Sequence, residues 1–394
     1  MKVAIAFGTR PEAIKLAPVI YALRNHFEVT VISSGQHTDL LEQALDFFRI
    51  RPQHRLACMN RKANLGTLTA RLNKEIARVL KQENPGVVIV QGDTMTTYSA
   101  AFQGFLSKIP VFHVEAGLRT GHRFSPFPEE MLRTLTSRLA DFHFAPTGRA
   151  RDNLLSEKVR KDRIMVTGNT VVDALLLAER MLDKKSVERE LFRYFRKPVR
   201  LERRKIVLVT SHRRENIGAA LRQICRAVNF LARKYQDCIF IWSLHRNPEV
   251  RKIVLKDLDK QAENIVLTEA LSYQTTVFLM RKAFLIMTDS GGIQEEAPTF
   301  GKPLLVLRES TERPEIIEAG MGFLTGGDER KIVETFSKLS EDTRFYRAVS
   351  KIPNPFGDGQ ASDRIRDFLL NDQVQTFLKQ YPDSCGRILK VPAF

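Results

Sequence analysis

The chain has 394 residues, of which 43% are hydrophobic and 27% charged, and its formal net charge is +17. This length exceeds what one hydrophobic core usually fills, so we expect a globular protein of two domains. No stretch approaches the roughly 20 apolar residues that cross a bilayer, which argues against a membrane-spanning protein. The first apolar run ends within about six residues at Arg10, which is typical of a β-strand and not of a signal peptide. We therefore expect a cytoplasmic protein.

In the first half of the chain, strand-length apolar runs alternate with segments of helical periodicity. The strand-like runs are apolar almost throughout, as in parallel sheets that helices cover on both faces. We expect strands at residues 3–7, 29–32, 87–90, 111–114, 142–145 and 164–166, and helices at 13–25, 65–81, 97–106 and 132–139.

A segment rich in Lys and Arg, residues 183–205, then interrupts the alternation and is typical of a solvated linker helix. Beyond it the alternation resumes. We expect strands at 206–210, 239–242, 265–267, 285–287 and 304–306, and helices at 221–234, 273–282, 293–300 and 361–370.

These patterns predict an α/β protein with two Rossmann-like, doubly wound parallel-sheet domains that face each other across a cleft. We expect a first domain at residues 1–183, a basic linker at 184–204 and a second domain at 205–360. Residues 361–394 are expected to form a helix that packs back on the first domain, followed by a tail. Ligands of such sheets bind at the carboxyl ends of the strands, where this sequence repeatedly has charged residues.

The first strand is followed by GTRPEAIK, in which Pro11 suits the first turn of a helix. Arg10 and Lys15 flank this helix start, and a helix N-terminus with two cations suits a phosphate or diphosphate. The alternative is an ordinary strand–helix turn with a surface arginine.

Three successive strand or loop ends each present a carboxylate. Asp93 follows one apolar strand in QGDT, Glu115 follows the next in EAGLRT, and Glu129 opens a helix after SPFP. Crowding and burial raise the pKa of a carboxylate, as proton exchange near neutral pH requires. Arg133 is one of three nearby arginines expected to keep some of these carboxylates ionised. For any one carboxylate, the alternative role is a helix cap.

The second half presents two histidines at strand ends. His212, in SHRREN, suits an acid–base group or a phosphate donor because histidine titrates near neutral pH. Its alternative role is structural, near a helix N-cap. His245, in SLHRNP, occupies a similar position with a weaker signal.

Two further loops suit a nucleotide. Ser290, Gly291 and Gly292 open a helix in TDSGGIQEEAP and offer N–H groups to phosphate oxygens. Glu296 lies further along that helix, within reach of ribose hydroxyls, and Arg313 in RESTERPE adds a cation. Together these loops predict a site for a nucleotide diphosphate, with acid–base groups on the opposite wall.

Several function classes lack their marks. HExxH, the P-loop GxxxxGK[ST] and GxGxxG are all absent from the sequence. The four cysteines show neither CxxC pairing nor metal-ligand spacing, so we expect reduced thiols and no metal. Nucleic-acid binding remains a weaker alternative, based only on the net charge and the 183–205 segment, without an RNA-binding signature or a Cys/His finger.

Nine motifs, in order from residue 7 to about residue 359, resemble those of the non-hydrolysing UDP-N-acetylglucosamine 2-epimerases. They are FGTRPEAIKLAP, QGDT, HVEAGLRT, FPEE, SHRREN, LHRNP, TDSGGIQEEAP, TERPE and NPFGDG. Each motif is weak by itself, but the ordered set is highly specific. The opening GTRPEAIK is unlike that of the hydrolysing relatives, which release free N-acetylmannosamine.

The resemblance implies a glycosyltransferase-B-like pair of Rossmann domains, usually homodimeric, and a reaction that uses no NAD, metal or other cofactor. It also implies reversible C2 epimerisation of a UDP-sugar, from UDP-N-acetylglucosamine to UDP-N-acetylmannosamine. The C2 proton and UDP would leave to give a glycal, and UDP would then add back.

By motif, the resemblance also implies the roles of the site residues. Asp93 and Glu115 are expected to form the acid–base pair near C2 of the sugar, with Glu129 assisting. His212 is expected to serve both catalysis and diphosphate binding. The other expected substrate-binding residues are Arg10, Lys15, Arg133, His245, Ser290, Gly291, Gly292, Glu296 and Arg313.

Departures from the family pattern leave alternatives open. Leu132 stands where the family has an amide beside the sugar, which allows a C2 hydroxyl, as in UDP-glucose. Thr276 replaces an aromatic residue of the base pocket and bears on uracil selectivity. Residues 62–72 replace a glycine–glutamine loop that helps to bind a second UDP-N-acetylglucosamine as activator in bacterial relatives. A retaining glycosyltransferase on the same scaffold is the remaining alternative.

Overall fold

The computed structural model describes residues 1–35, 39–58, 64–195, 201–383 and 385. Parts of three segments discussed above lie outside the described residues, namely 62–63, 196–200, 384 and 386–394. The chain divides into two compact units, Met1–Ala174 with Phe356–Phe394, and Leu175–Pro355. Within the described ranges, no helix is long and apolar enough to cross a membrane.

The first unit is built on one parallel sheet. Its strands are β1 Lys2–Phe7, β2 Glu28–Ser33, β3 His54–Arg55, β4 Val87–Gln91, β5 Val111–Val114, β6 Phe142–Ala145 and β7 Ile164–Val166. Their order in the sheet is β3-β2-β1-β4-β5-β6-β7, and all neighbours are parallel. β4, β5 and β6 are buried along their whole length, which explains why all their residues except Gln91, His113 and His143 are apolar. Because β1, β4 and β5 are adjacent, the loops that follow them meet at one edge of the sheet.

The helices between these strands are α1 Arg10–Leu23, α2 Asp39–Phe47, α3 Leu65–Glu83, α4 Met95–Leu106, α5 Glu129–Leu139, α6 Gly148–Ser156 and α7 Thr170–Met181, with a 3₁₀ turn at Lys161–Arg163. α1, α4 and α5 begin two or three residues before the predicted starts. Their first turns carry capping and polar residues, which have no hydrophobic period to mark them. At α4, for example, Oγ1 of Thr94 accepts the N–H of Thr97.

The second unit contains a six-stranded sheet. Its strands are β8 Lys205–Ser211, β9 Cys238–Leu244, β10 Ile265–Thr268, β11 Ala283–Thr288, β12 Leu304–Val306 and β13 Gly322–Leu324. Their order is β10-β9-β8-β11-β12-β13, again with all neighbours parallel. Two doubly wound parallel sheets confirm the predicted α/β class.

The helices of the second unit are α8 Lys184–Phe192, α9 Ala219–Lys234, α10 Pro248–Asp257, α11 Tyr273–Lys282, α12 Gly291–Glu296, α13 Pro314–Glu318, α14 Glu329–Glu341 and α15 Thr343–Ser350. Short 3₁₀ turns occur at Leu201–Arg203, Arg214–Asn216 and Ala297–Phe300. The predicted helix at 293–300 is therefore the end of α12 followed by a 3₁₀ turn. Pro298 lies at that change because it lacks the N–H that a regular helix would use.

Helix α8 occupies the first half of the basic segment that we expected to be a linker. Its Val187 and Leu191 are buried. The carboxylate of Glu190 accepts hydrogen bonds from Oγ of Ser272 at 2.8 Å and from Oγ1 of Thr275 at 2.6 Å. These contacts fasten α8 to the start of α11 within the second unit.

The chain returns to the first unit with α16 Ala361–Leu370 and α17 Asp372–Lys379. The ring of Phe368 packs edge-on against Phe142 and Phe144, with centroids 5.0 and 5.3 Å away. The carboxylate of Asp173 accepts the backbone N–H of Ser362 at 2.7 Å. Burial raises the pKa of Asp173. The C-terminal helices thus cover β5 and β6 and attach to α7.

Candidate active site

Glu115 lies directly after β5 and is held by donors from three other parts of the first unit. Its Oε1 accepts from Nζ of Lys15 at 2.5 Å and from Nδ2 of Asn169 at 2.9 Å, and its Oε2 accepts from the amide of Gln91. The side chain is only 5% exposed. The backbone of Glu115 is in the left-handed region, with φ of 62°, which costs a non-glycine residue energy and is often found at functional sites.

Asp93 lies in the turn between β4 and α4. Its Oδ2 accepts from Nη2 of Arg133 at 2.5 Å, and Nη1 of Arg133 lies 3.5 Å from the carboxylate of Glu130. A Cβ on the neighbouring Gly92 would lie 3.8 Å from Oε2 of Glu115, so this turn borders the Glu115 carboxylate. The predicted Asp93–Arg133 and Glu115 groups therefore occupy neighbouring loops at one edge of the first sheet.

The two adjacent glutamates at the start of α5 differ in environment. Glu130 is buried, and its carboxylate accepts the backbone N–H groups of Thr120 and Gly121 at 3.0 and 3.1 Å. It therefore anchors the loop that follows Glu115. Glu129 is the first residue of α5 and is partly exposed.

Two buried titratable groups support these loops. The carboxylate of Glu12 accepts from the backbone N–H groups of Gly8 and Thr9 and from the hydroxyls of Thr94 and Thr97, and burial raises its pKa. It joins the turn after β1 to the turn after β4. His113 is fully buried, and its Nε2 bonds the carbonyl of Gly92 at 2.8 Å.

Burial lowers the pKa of His113 to about 3. The ring is therefore neutral near pH 7, and Nε2 carries the proton that it donates to the carbonyl. This assignment gives His113 a structural role beneath the turn that carries Asp93.

In the second unit, His212 follows β8 and pairs with Asp289, which follows β11. Nδ1 of His212 lies 3.1 Å from Oδ1 of Asp289. The ring of His245 packs 5.4 Å from the ring of His212 at a tilt of 30°. Burial, followed by the charge of His212, lowers the pKa of His245.

Arg313 packs over the start of α12. A Cβ on Gly291 would lie 2.7 Å from Nη1 of Arg313, so the guanidinium needs a glycine at this position. Nε of Arg313 donates to Oε1 of Glu295 at 2.9 Å, and the hydroxyl of Tyr273 donates to Oε1 of Glu296 at 3.2 Å. The guanidinium is thus fixed beside the backbone of the SGG segment.

The structure brings the predicted site residues together within each unit. At the edge of the first sheet lie Arg10, Lys15, Asp93, Glu115, Glu129 and Arg133. Around the loops after β8, β9 and β11 of the second sheet lie His212, His245, Ser290, Gly291, Gly292, Glu296 and Arg313. Among the described residues, no three His, Cys, Asp or Glu side chains are arranged to hold a metal ion.

Sequence reasoning missed Gln91, Asn169 and Asp289, which contact the predicted residues directly. Each has a weak sequence signal, because Gln91 ends an apolar strand, Asp289 directly follows one, and Asn169 lies three residues after the end of another. The Lys15 ammonium, expected to contact a diphosphate, donates to Glu115. Leu132 is buried in α5, and Oγ1 of Thr276 donates to the carbonyl of Ser272 at 2.9 Å.

Two Rossmann-like sheets, with carboxylates at the strand ends of one and histidine, arginine and an SGG turn at those of the other, define an α/β enzyme of the nucleotide-binding class. Comparison with known proteins narrows this class. A family model described as UDP-N-acetylglucosamine 2-epimerase matches residues 21–370. The chain belongs to the UDP-N-acetylglucosamine 2-epimerase family, whose members are isomerases.

Individual relatives agree with this assignment along the whole chain. The UDP-N-acetylglucosamine 2-epimerase of Escherichia coli K12 is 44% identical over 377 residues, which are 95% of this chain and 100% of that protein. The Neisseria meningitidis UDP-GlcNAc 2-epimerase bound to UDP-GlcNAc is 43% identical, with a TM-score of 0.84 over 94% of this chain and 100% of that one. The S. aureus protein of a co-structure with UDP is 37% identical, with a TM-score of 0.83 over 100% of this chain and 99% of that one.

Proposed function

We propose that this protein interconverts UDP-N-acetylglucosamine and UDP-N-acetylmannosamine by inverting C2. The observation that carries the proposal is the match with the E. coli 2-epimerase, 44% identical over that protein's whole length. The N. meningitidis relative was solved with UDP-GlcNAc bound, which supports the same nucleotide sugar as the substrate of this chain.

Inversion at C2 requires a proton to leave one face of the sugar and another to return to the opposite face, so the reaction needs two acid–base groups. A base takes the C2 proton, the electron pair of that C–H bond forms the C1–C2 double bond, and the C1–O bond to UDP breaks. Return of a proton to the other face of C2, with addition of the UDP oxygen to C1, completes the inversion. No net oxidation occurs.

Asp93 and Glu115 are the acid–base pair of this proposal. Oδ2 of Asp93 is occupied by Arg133, whereas Oδ1 of Asp93 makes no hydrogen bond to the described part of the chain, so it is open to a substrate. The donors on Glu115 hold its oxygens in place. Glu129 assists from the start of α5, and Lys15 serves as the counter-charge of Glu115.

The departing diphosphate requires cations and hydrogen-bond donors, because negative charge develops on UDP as the C1–O bond breaks. We assign its stabilisation to His212, Arg313, Arg10 and the backbone N–H groups that open α12. Glu296 is assigned to the ribose hydroxyls, with its orientation supported by Tyr273. Arg133 and His245 complete the proposed substrate contacts.

Incubation with a UDP-sugar alone in deuterated water tests the proposal. We expect the proton NMR signal of C2–H in UDP-N-acetylglucosamine to disappear while the manno epimer appears. A retaining glycosyltransferase would need an acceptor and would not exchange this hydrogen. UDP-glucose, run in parallel, tests the alternative of a C2 hydroxyl, and exchange in UDP-glucose alone would overturn the N-acetyl assignment.

We also propose a homodimer that forms through α4. Tyr98, Phe102, Phe105 and Leu106 recur at helical spacing on this helix, and Phe105 and Leu106 are 53% and 55% exposed. Such a stripe favours contact with another protein surface.

A cytoplasmic location is supported by the free thiols of Cys58, Cys225, Cys238 and Cys385, which suit a reducing compartment.

A further inference from the structure

Asp289 is a fully buried carboxylate on which the loop after β8 converges. Its Oδ2 accepts from the hydroxyl of Ser211, the backbone N–H groups of His212 and Arg213, and the amide of Asn216, each at 2.9 Å. Its Oδ1 lies 3.1 Å from both the backbone N and Nδ1 of His212. The two oxygens therefore differ, because Oδ2 holds the loop while Oδ1 faces the imidazole.

An ionised carboxylate accepts hydrogen bonds and has no proton to donate, so the state of Asp289 decides which nitrogen of His212 carries a proton. Burial acts to raise the pKa of Asp289, but the hydrogen bond and charge of the His212 ring, together with the backbone N–H groups of Arg213 and His212, outweigh burial and lower the pKa overall. With Asp289 ionised, Nδ1 of His212 is the donor of their contact. Nε2 makes no hydrogen bond to the residues that the structure describes, and the side chain is 34% exposed.

We propose that Asp289 is a positioning residue that holds a proton on Nδ1 of His212, so that the ring carries a second proton on Nε2 and donates it to the diphosphate of the substrate. This inference rests on the proposed function, because it takes the ligand of the His212 side to be a nucleotide diphosphate. Asp289 itself touches neither substrate nor reacting atoms. It acts through the protonation and orientation of His212, as the carboxylate partners of catalytic histidines do.

The Asp289 carboxylate holds the loop through Oδ2 and accepts from Nδ1 of His212 through Oδ1. The Asp289→Asn variant separates these two functions. The four donors around Oδ2 select the amide oxygen of the new side chain, so its NH₂ group must face Nδ1 of His212. Nδ1 then becomes an acceptor, and the ring is neutral with its proton on Nε2. Long-range ¹H–¹⁵N NMR of labelled histidine in the UDP complex distinguishes this neutral ring from one that is protonated on both nitrogens.

We expect both nitrogens of His212 to be protonated in the wild-type UDP complex, and only Nε2 in the UDP complex of Asp289→Asn. Asn216→Ala is the matched control, because it removes one donor from Oδ2 and leaves the contact with Nδ1 intact. It should retain the proton on Nδ1. A neutral ring in the wild-type complex, a proton on Nδ1 in Asp289→Asn, or its loss in Asn216→Ala would overturn the proposal.

A double-mutant cycle tests whether the effect on catalysis passes through His212. We expect Asp289→Asn to lower kcat by about 100-fold or more. In the background of His212→Phe, the same change should lower kcat little further. Equal losses in both backgrounds would mean that Asp289 acts independently of His212.

The NMR measurement keeps this inference distinct from the proposed function. If the wild type exchanges no C2 hydrogen in any UDP-sugar, the epimerase proposal fails. The protonation of His212 and the affinity of Asp289→Asn for UDP, measured by calorimetry, still test the role of Asp289. Wild-type UDP affinity in a variant whose Nδ1 has lost its proton would then exclude contact of a charged His212 with the diphosphate.

Discussion

The ammonium of Lys15 and the carboxylate of Glu115 form an ion pair at 2.5 Å between Nζ and Oε1, although 100 positions separate them in the chain. Lys15 projects from α1, the helix that follows β1, and Glu115 follows β5. In the sheet, β4 lies between β1 and β5. Both side chains are largely removed from water, at 13% and 5% exposure. The pair links the proposed acid–base centre to the framework of the first unit.

Lys15→Met should destabilise the first unit, because it leaves a buried carboxylate without its counter-charge. Loss of one partner of such a pair costs about 3 kcal/mol. Urea unfolding measures this change. The double variant Lys15→Met/Glu115→Gln removes both charges and should recover part of the loss. If the double variant is as unstable as the sum of the single variants, the pair does not account for the effect.

Glu115→Gln and Asp93→Asn should each slow the exchange of C2 hydrogen by at least about 100-fold, because each removes a proposed acid–base group. Proton NMR in deuterated water measures this rate. UDP affinity should change little in both, since the diphosphate contacts are assigned to other residues. Asp152→Asn, an exposed carboxylate on α6, is the control and should exchange normally. Exchange at the wild-type rate in either test variant would remove that residue from the mechanism.

His113 predicts a pH dependence of stability. Its pKa falls from 6.5 to about 3 on folding, because burial disfavours the charged ring. Between these values the unfolded chain binds the extra proton, so the contribution of His113 is fully present above about pH 6.5 and decreases as pH falls. The slope is at most about 1.4 kcal/mol per pH unit. His113→Gln should lose this component between about pH 4 and pH 6, which lies inside the window set by the two pKa values. Urea unfolding at a series of pH values measures the slope, and equal slopes for both proteins would contradict the assignment.

Phe105→Asp should weaken the proposed dimer, because it introduces a charge into the exposed apolar stripe of α4. We expect the dimer dissociation constant to rise by about 100-fold, as for a central interface residue. Analytical ultracentrifugation measures it. Phe230→Asp, on α9 of the second unit and 49% exposed, is the matched control. A monomeric wild type, or equal effects of both substitutions, would exclude this surface.

Gly291→Ala should weaken UDP binding by about tenfold, equivalent to about 1.4 kcal/mol. The added Cβ would lie 2.7 Å from Nη1 of Arg313 and would displace the guanidinium from the backbone that opens α12. Calorimetry with UDP measures the change. Gly148→Ala provides the control at the first residue of another helix, where a Cβ meets nothing within 4 Å. Unaltered UDP affinity in Gly291→Ala would remove Arg313 from the diphosphate site.

The environment of the two glutamates at the start of α5 could not be predicted from sequence. Both follow the same prolines, and the sequence pattern predicts Glu129 as a site residue. The structure adds that Glu130 is buried on the backbone N–H groups of Thr120 and Gly121. Adjacent helical residues face different directions, and their surroundings come from a loop about ten residues away in sequence.

The strands β3 and β13 also could not be predicted from sequence, because they span only two and three residues and are too short to carry a periodic signal.

The sequence by itself determined the class of fold and showed that charged residues recur at the ends of the predicted strands. Continuous apolar strands and intervening helices are local properties, and polar residues at the strand ends follow from the direction of each strand. Only the tertiary structure decided the partners of those residues. Gln91, Lys15 and Asn169 meet at Glu115, and Asp289 meets His212, because parallel sheets bring together loops that are distant in the chain. No local pattern encodes such contacts, since they depend on the order of strands in the sheet.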